Sequence, residues 1–166
     1  MIQYHLFAKY LAKTTGYDTR SERVFTQLKR IQHENGGLFP QMISMSEPVR
    51  FLSHSISFGG MGDSFYEYML KLWLQTGKTE PMYREMYDYA MDGLHNQLIR
   101  KTSEEGYTYI PAKINTHLKH EMDHLACFMA GSLALGAYTH PDGLESPKAQ
   151  RDLTTGKALA YTCYQS

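Results

Sequence analysis

The chain has 166 residues, 42% hydrophobic and 20% charged, with 17 basic side chains against 17 acidic. That composition describes one folded domain and excludes a disordered or collagen-like chain. Zero net charge, with basic residues no denser than Lys29-Arg30 or Arg100-Lys101, argues against a nucleic acid or acidic membrane held by long-range field and leaves small neutral ligands open.

In chain order, Met1 to Lys9 shows no basic leader, apolar run or small-residue cleavage site, so no secretory signal is expected within it. An address for secretion would lie outside this chain. Leu6, Leu11 and Ala12 before Gly16 predict a first helix. Val24, Phe25, Leu28 and Ile31 mark one face of a second, stopped at Gly36-Gly37. Asp63 to Thr76 and Pro81 to Arg100 form the next pair, broken at Gly77, with Thr79 expected as N-cap and Pro81 in the first turn. In the latter helix Met82, Met86, Tyr89, Ala90, Gly93 and Leu98 are expected on the buried side, and Arg84, Glu85, Asp88, Asp92 and Asn96 on the outer one. The third pair runs from about Met122 to Ala137 and from Ser146-Pro147 to about Cys163. The nearly uncharged run Leu125 to Tyr138 is too short to cross a membrane, which takes about 20 residues, and reads as a buried helix.

Gly37-Leu38-Phe39-Pro40 and Gly106-Tyr107-Thr108-Tyr109-Ile110 each place aromatics after a glycine and predict short extended strands. Their separation by about one helical hairpin suggests an internal repeat of helix pair plus hairpin. Within each repeat the helix after the strand is apolar nearly all round and its follower amphipathic, which predicts inner and outer layers of helices.

Two places could carry chemistry. Asp63, Glu67 and Lys71 stack at spacings of four on an otherwise apolar helix, beside Gly59-Gly60 and Gly62. This strip can be an ordinary solvated face in which Asp63 caps the helix and Glu67 pairs with Lys71. It can equally present two carboxylates to a polar pocket, as glycoside hydrolysis requires of an acid that protonates the leaving oxygen and a partner that activates water or attacks carbon. The string His120-Glu121-Met122-Asp123-His124 fits the H-E-x-x-H zinc-peptidase pattern, with Glu145 a conceivable third ligand; it can also be two unrelated histidines at a helix entrance. His124, at the start of the small-residue helix, would lie at the same end of its repeat as Asp63 does in the preceding one. Cys127 and Cys163 are the only cysteines, and composition alone reads them as buried free thiols.

Gly-Leu-Phe-Pro at 37 to 40, GGMGDSFYEYMLKLWLQTGKT at 59 to 79, MDHLACFMAGSLALGA at 122 to 137 and Tyr161-Thr162-Cys163-Tyr164 together resemble the class I α1,2-mannosidases, glycoside hydrolase family 47. The resemblance spans nearly the whole chain and corresponds to a middle portion of that family's catalytic domain. It implies an all-α fold with short β-hairpins: about three helical hairpins of an incomplete (α/α)7 barrel, residues 1 to 166 forming a single partial catalytic domain. The implied activity is inverting, calcium-dependent hydrolysis of terminal α1,2-linked mannose from N-linked high-mannose glycans in the Golgi or endoplasmic reticulum. Any membrane attachment would come through segments absent here.

By the same resemblance Asp63 and Glu67 match pocket carboxylates with catalytic roles, His124 matches a histidine at the sugar site, and Met61, at a substrate-binding position, replaces the arginine that the endoplasmic-reticulum type places two residues before the pocket aspartate, which is more like the Golgi type. Cys127 and Cys163 match the family's disulfide, which reverses the composition-only reading and implies an oxidising compartment. Closing that 36-residue separation stabilises by roughly 4 kcal/mol in the chain-entropy model. No metal ligand is implied in this chain, the calcium ligands being expected outside it. Phe7 stands where the family has a pocket glutamate, and the general acid, catalytic base and calcium-binding threonine have no counterpart here. These departures favour, as an alternative, a catalytically inactive glycan-binding or chaperone-like protein. Three hairpins of a closed ring would also leave two raw apolar faces, which predicts an isolated chain that is poorly soluble or inactive.

Overall fold

The computed structural model describes residues 17–44 and 46–166. The predicted helix around Leu6 to Ala12, its stop at Gly16, and Phe7 lie outside the described residues. Five α-helices are described: α1 (Tyr17–Ile31), α2 (Asp63–Gln75), α3 (Pro81–Gln97), α4 (Phe128–Tyr138) and α5 (Pro147–Gln165). Two short antiparallel hairpins, β1 (Arg100–Lys101) with β2 (Thr108–Tyr109) and β3 (Ala112–Ile114) with β4 (His117–Lys119), separate α3 from α4.

Helix α1 buries Phe25 and Leu28 as its periodicity predicts, and a 3-10 turn at Gln32–Asn35 ends at Gly36 in the left-handed region, φ 59°. The buried Gln32 amide donates to the carbonyls of Gly37 and Met86, at 2.9 and 2.8 Å, tying this turn to α3. A side chain at Gly37 or Gly93 would collide with backbone on the facing segment, so these glycines let the Gly36–Leu38 loop lie directly on α3. Residues 38 to 40 are buried but join no strand ladder, contrary to the sequence expectation. The Phe39 N–H instead donates to the Tyr66 hydroxyl at 2.9 Å, and Pro40 has no N–H to offer a ladder.

The core runs continuously from Phe25 and Leu38 through Tyr66, Met69 and Trp73 of α2 and Tyr83, Met86 and Tyr87 of α3 to Met129 and Leu133 of α4. Helix α2 packs on α3, α4 packs on α5, and α2 touches α4, so two helix pairs stand side by side with their apolar members adjacent. This is the predicted inner and outer arrangement. The amphipathic α3 and α5 meet through charge: Asp92 pairs with Lys148 at 2.6 Å and Arg151 at 2.8 Å, and Asp152 with His95 at 2.8 Å.

Several boundaries differ from expectation. Thr79 does not cap α3; its hydroxyl donates to the Thr76 carbonyl at 2.8 Å, and Glu80 occupies the cap position without a side-chain cap bond. Helix α3 stops at Gln97 because Arg100 is taken into the β1–β2 ladder opposite Tyr109. Arg84 is not on the outer face. It is 3% exposed, and its guanidinium forks onto Asp88 and lies over the Trp73 ring at 5.1 Å. Tyr89, expected inside, is 39% exposed. Cys127 and Cys163 form a disulfide, so the thiol reading from composition is overturned. Ser146 caps α5, accepting the Ala149 N–H. Leu135 and Tyr138 on α4, with Tyr161 and Tyr164 on α5, stand exposed. No helix among the described residues is long and apolar enough to cross a membrane.

Candidate active site

Asp63 is the first residue of α2 and not its cap; Gly62 holds the cap position, because the preceding turn closes on the Gly59 carbonyl, which accepts the N–H groups of Gly62 at 3.1 Å and Asp63 at 3.0 Å. A side chain at Gly62 would meet the Ser57 carbonyl oxygen. Asp63 Oδ1 accepts the Ser64 N–H at 2.8 Å. A carboxylate at this position also faces the positive end of the helix dipole. One turn on, Glu67 pairs with Lys71, the partner that the solvated-face reading assigned it. Met61 sits in the left-handed region with φ 71° and is 79% exposed at the lip of a cavity lined by Phe39, Gln41, Phe65 and Tyr66.

The other polar end is built by Asp123. Its backbone is extended, and its carboxylate accepts the Leu125 N–H at 2.9 Å, so the chain enters a 3-10 turn at His124–Cys127 before α4 begins at Phe128. This is why the helix starts later than Met122. The His124 side chain is 89% exposed, its Nδ1 3.4 Å from Asp123 Oδ1. It lines a second hollow with His120, Tyr109, Met122, Thr162 and the disulfide.

What joins the two ends is a contact between their loops. Asp123 Oδ2 accepts the Gly60 N–H at 3.3 Å, setting the Gly59–Gly62 turn against the His124 turn. Hydrogen bonds from the Leu125 and Gly60 amides, in that order, hold the Asp123 carboxyl below the usual carboxylate range. The two cavities remain separate: Met61 lines one and His124 the other, and neither is lined by Asp63 or Glu67.

The zinc-peptidase string loses its structural premise. His120 to Asp123 precede the helix, and His120 Nδ1 is hydrogen-bonded to the Tyr109 hydroxyl at 2.8 Å, so the two histidines do not share a helix face. Among the described residues no three His, Cys, Asp or Glu side chains converge to hold a metal.

The sequence profile of glycosyl hydrolase family 47 matches residues 4–166. The chain belongs to this family. It is 39% identical over 165 residues to the mannosyl-oligosaccharide α-1,2-mannosidase IA of Drosophila melanogaster, covering 98% of this chain and 24% of that protein. It is 39% identical over 164 residues to the human mannosyl-oligosaccharide 1,2-α-mannosidase IB, covering 98% of this chain and 25% of that one. This family 47 chain thus spans about a quarter of the length of these relatives. The fold matches that of an α-1,2-mannosidase from Trichoderma reesei with a TM-score of 0.77 at 20% identity, over 97% of this chain and 32% of the other. It is therefore the fold of part of a family 47 (α/α)7 barrel.

Two residues that organise this region of the family 47 chain carry little functional signal in the sequence. Asp123, two residues before the apolar run that begins at Leu125, carries an N-cap signal, although its bond to Gly60 does not show in the sequence. Tyr66, buried beneath Phe39, both accepts from and donates to that residue's backbone, and burial pushes its hydroxyl far above the ordinary phenol value. An aromatic at a core position gave no signal of that role.

Proposed function

We propose that this chain forms part of the catalytic domain of an enzyme that removes terminal α1,2-linked mannose from N-linked high-mannose glycans. Family membership sets the chemical class. The observation that carries the reading to particular residues is the Asp123 to Gly60 contact, which sets the turn leading into Asp63 beside the turn bearing His124.

In this reading Asp63 and Glu67, a turn apart on α2, supply carboxylates to a sugar-binding mouth. Inverting hydrolysis needs an acid to protonate the leaving oxygen and a carboxylate to activate water from the opposite face. Asp63 Oδ1 is held by the Ser64 N–H. That bond fixes the carboxylate's orientation and leaves Oδ2 to act toward the sugar. Glu67, tethered to Lys71, is the neighbouring acceptor for a sugar hydroxyl or the attacking water. The exposed His124 imidazole offers a hydrogen bond at the other lip, and Met61 an apolar contact. The rest of the pocket, including the calcium ligands, would come from segments outside this chain. The disulfide accords with assembly in the oxidising secretory pathway.

The test is mannose release from a high-mannose N-glycan by the longer catalytic domain of which this chain is proposed to be part. Asp63→Asn is expected to lower kcat by about 100-fold or more, the usual range for a group acting in proton transfer. Full activity in Asp63→Asn would overturn the assignment. Glycan binding without hydrolysis by the wild type would favour the inactive, glycan-binding alternative.

A further inference from the structure

Asp123 is distinct from the two acids proposed to serve the sugar, yet it is the residue that both mouth segments share. Its Oδ1 accepts the Leu125 N–H at 2.9 Å and its backbone carbonyl accepts the Ala126 N–H at 2.9 Å, which fixes the turn carrying His124. Its Oδ2 accepts the Gly60 N–H at 3.3 Å. The same Gly59–Gly60 peptide presents its carbonyl oxygen to the Asp63 N–H at 3.0 Å. One peptide plane therefore lies between the Asp123 carboxylate and the backbone of Asp63, and peptide planes are stiff. The packing allows no slack: a methyl group on Gly59 would lie 2.5 Å from Asp123 Cγ and 2.6 Å from Oδ2.

We propose that Asp123 is a positioning residue that sets, through the Gly59–Gly60 peptide, where Asp63 stands relative to His124. The proposal rests on the reading of Asp63 and His124 as sugar-facing groups. Coupling is carried by two hydrogen bonds in series and one close approach, so either end can be cut independently. Asp123→Ser keeps a hydroxyl able to cap the His124 turn, since serine is a good N-cap, but is too short to reach the Gly60 N–H. Gly59→Ala keeps both carboxylate side chains and forces the two loops apart.

Both variants are made in the longer catalytic domain, whose amide exchange and side-chain resonances are followed by NMR and whose mannose release is measured. In Asp123→Ser the Gly60 amide is expected to exchange about fivefold faster or more while Leu125 changes less than about twofold, as expected when one local hydrogen bond opens without global unfolding. The side-chain resonances of Asp63 and His124 both move. In the catalytic domain kcat falls about tenfold with KM held within about twofold, a split that general loss of folded protein does not produce. Gly59→Ala reproduces the kcat effect and serves as the readout should Asp123→Ser fail to fold. An unchanged Gly60 exchange rate, or unmoved Asp63 signals with Gly60 opened, overturns the proposal. If the wild-type domain releases no mannose while the exchange and resonance effects persist, the sugar-cleaving reading falls and the coupling itself stands.

Discussion

Arg84 is the charge whose removal should matter most to the fold. The residue is 3% exposed, and its guanidinium makes a two-pronged pair with Asp88 with both N···O distances 2.9 Å and donates to the Gly136 carbonyl at 3.1 Å. It also lies 5.1 Å from the Trp73 ring and 5.7 Å from that of Tyr87, and so joins α2, α3 and α4. Arg84→Met keeps most of the volume and removes every polar contact. The Gly136 carbonyl is then left in a dry interior, at about 1–3 kcal/mol. Lost attraction to the two rings adds about 1 kcal/mol. Asp88 keeps a quarter of its side-chain surface, 25%, in water, so its loss of partner falls below the range for a fully buried pair. The net expectation is destabilisation by about 3 kcal/mol, or a Tm lower by roughly 6–12 °C for a chain of this size. Urea unfolding followed by circular dichroism measures it. Lys71→Ala, which breaks the exposed pair with Glu67, is the control and should cost less than about 1 kcal/mol. A change under about 1 kcal/mol in Arg84→Met, with unaltered m-value, would show that the arginine is accommodated and does not join the helices.

Two further predictions concern α4 and the outer helices. Gly136→Ala would place a methyl 2.6 Å from the Tyr87 hydroxyl and should destabilise by about 1–3 kcal/mol, whereas Gly131→Ala on the same helix meets nothing within 4 Å and should stabilise by about 0.5–1 kcal/mol; equal effects in thermal melts would contradict the close seating of the Tyr87 ring against α4. Burial opposes ionisation of Asp92, but hydrogen bonds from Lys148 and Arg151 prevail and leave its pKa below the ordinary 3.8. A depressed carboxyl pKa means stability that is present above the unfolded-state value and is lost as pH falls through the folded-state one. The Tm gap between wild type and Asp92→Asn should therefore be constant near neutrality and close only below about pH 4; a gap that widened with acid would reverse the sign of the linkage.

Hydrophobic periodicity determined the helices by itself. The apolar cylinder from Asp63, the amphipathic one from Pro81 and the small-residue run to Ala137 each state their period locally, and Gly36, Gly77 and Pro147 punctuate them through backbone geometry that needs no distant partner. The motifs likewise carried the family. Contacts between segments far apart in the chain were not legible. Arg84 reads as surface by charge, and only the facing Trp73, Tyr87 and Gly136 make its burial tolerable. The Leu38 to Pro40 segment reads as a strand in the sequence, but the Tyr66 hydroxyl takes the Phe39 N–H. Asp63 and His124 were placed at corresponding ends of successive repeats by pattern alone, but a repeat gives no distance. That relation was decided in three dimensions by a carboxylate 63 positions from the amide it accepts, because a hydrogen bond between remote segments depends on how helices stack and leaves no period in the sequence.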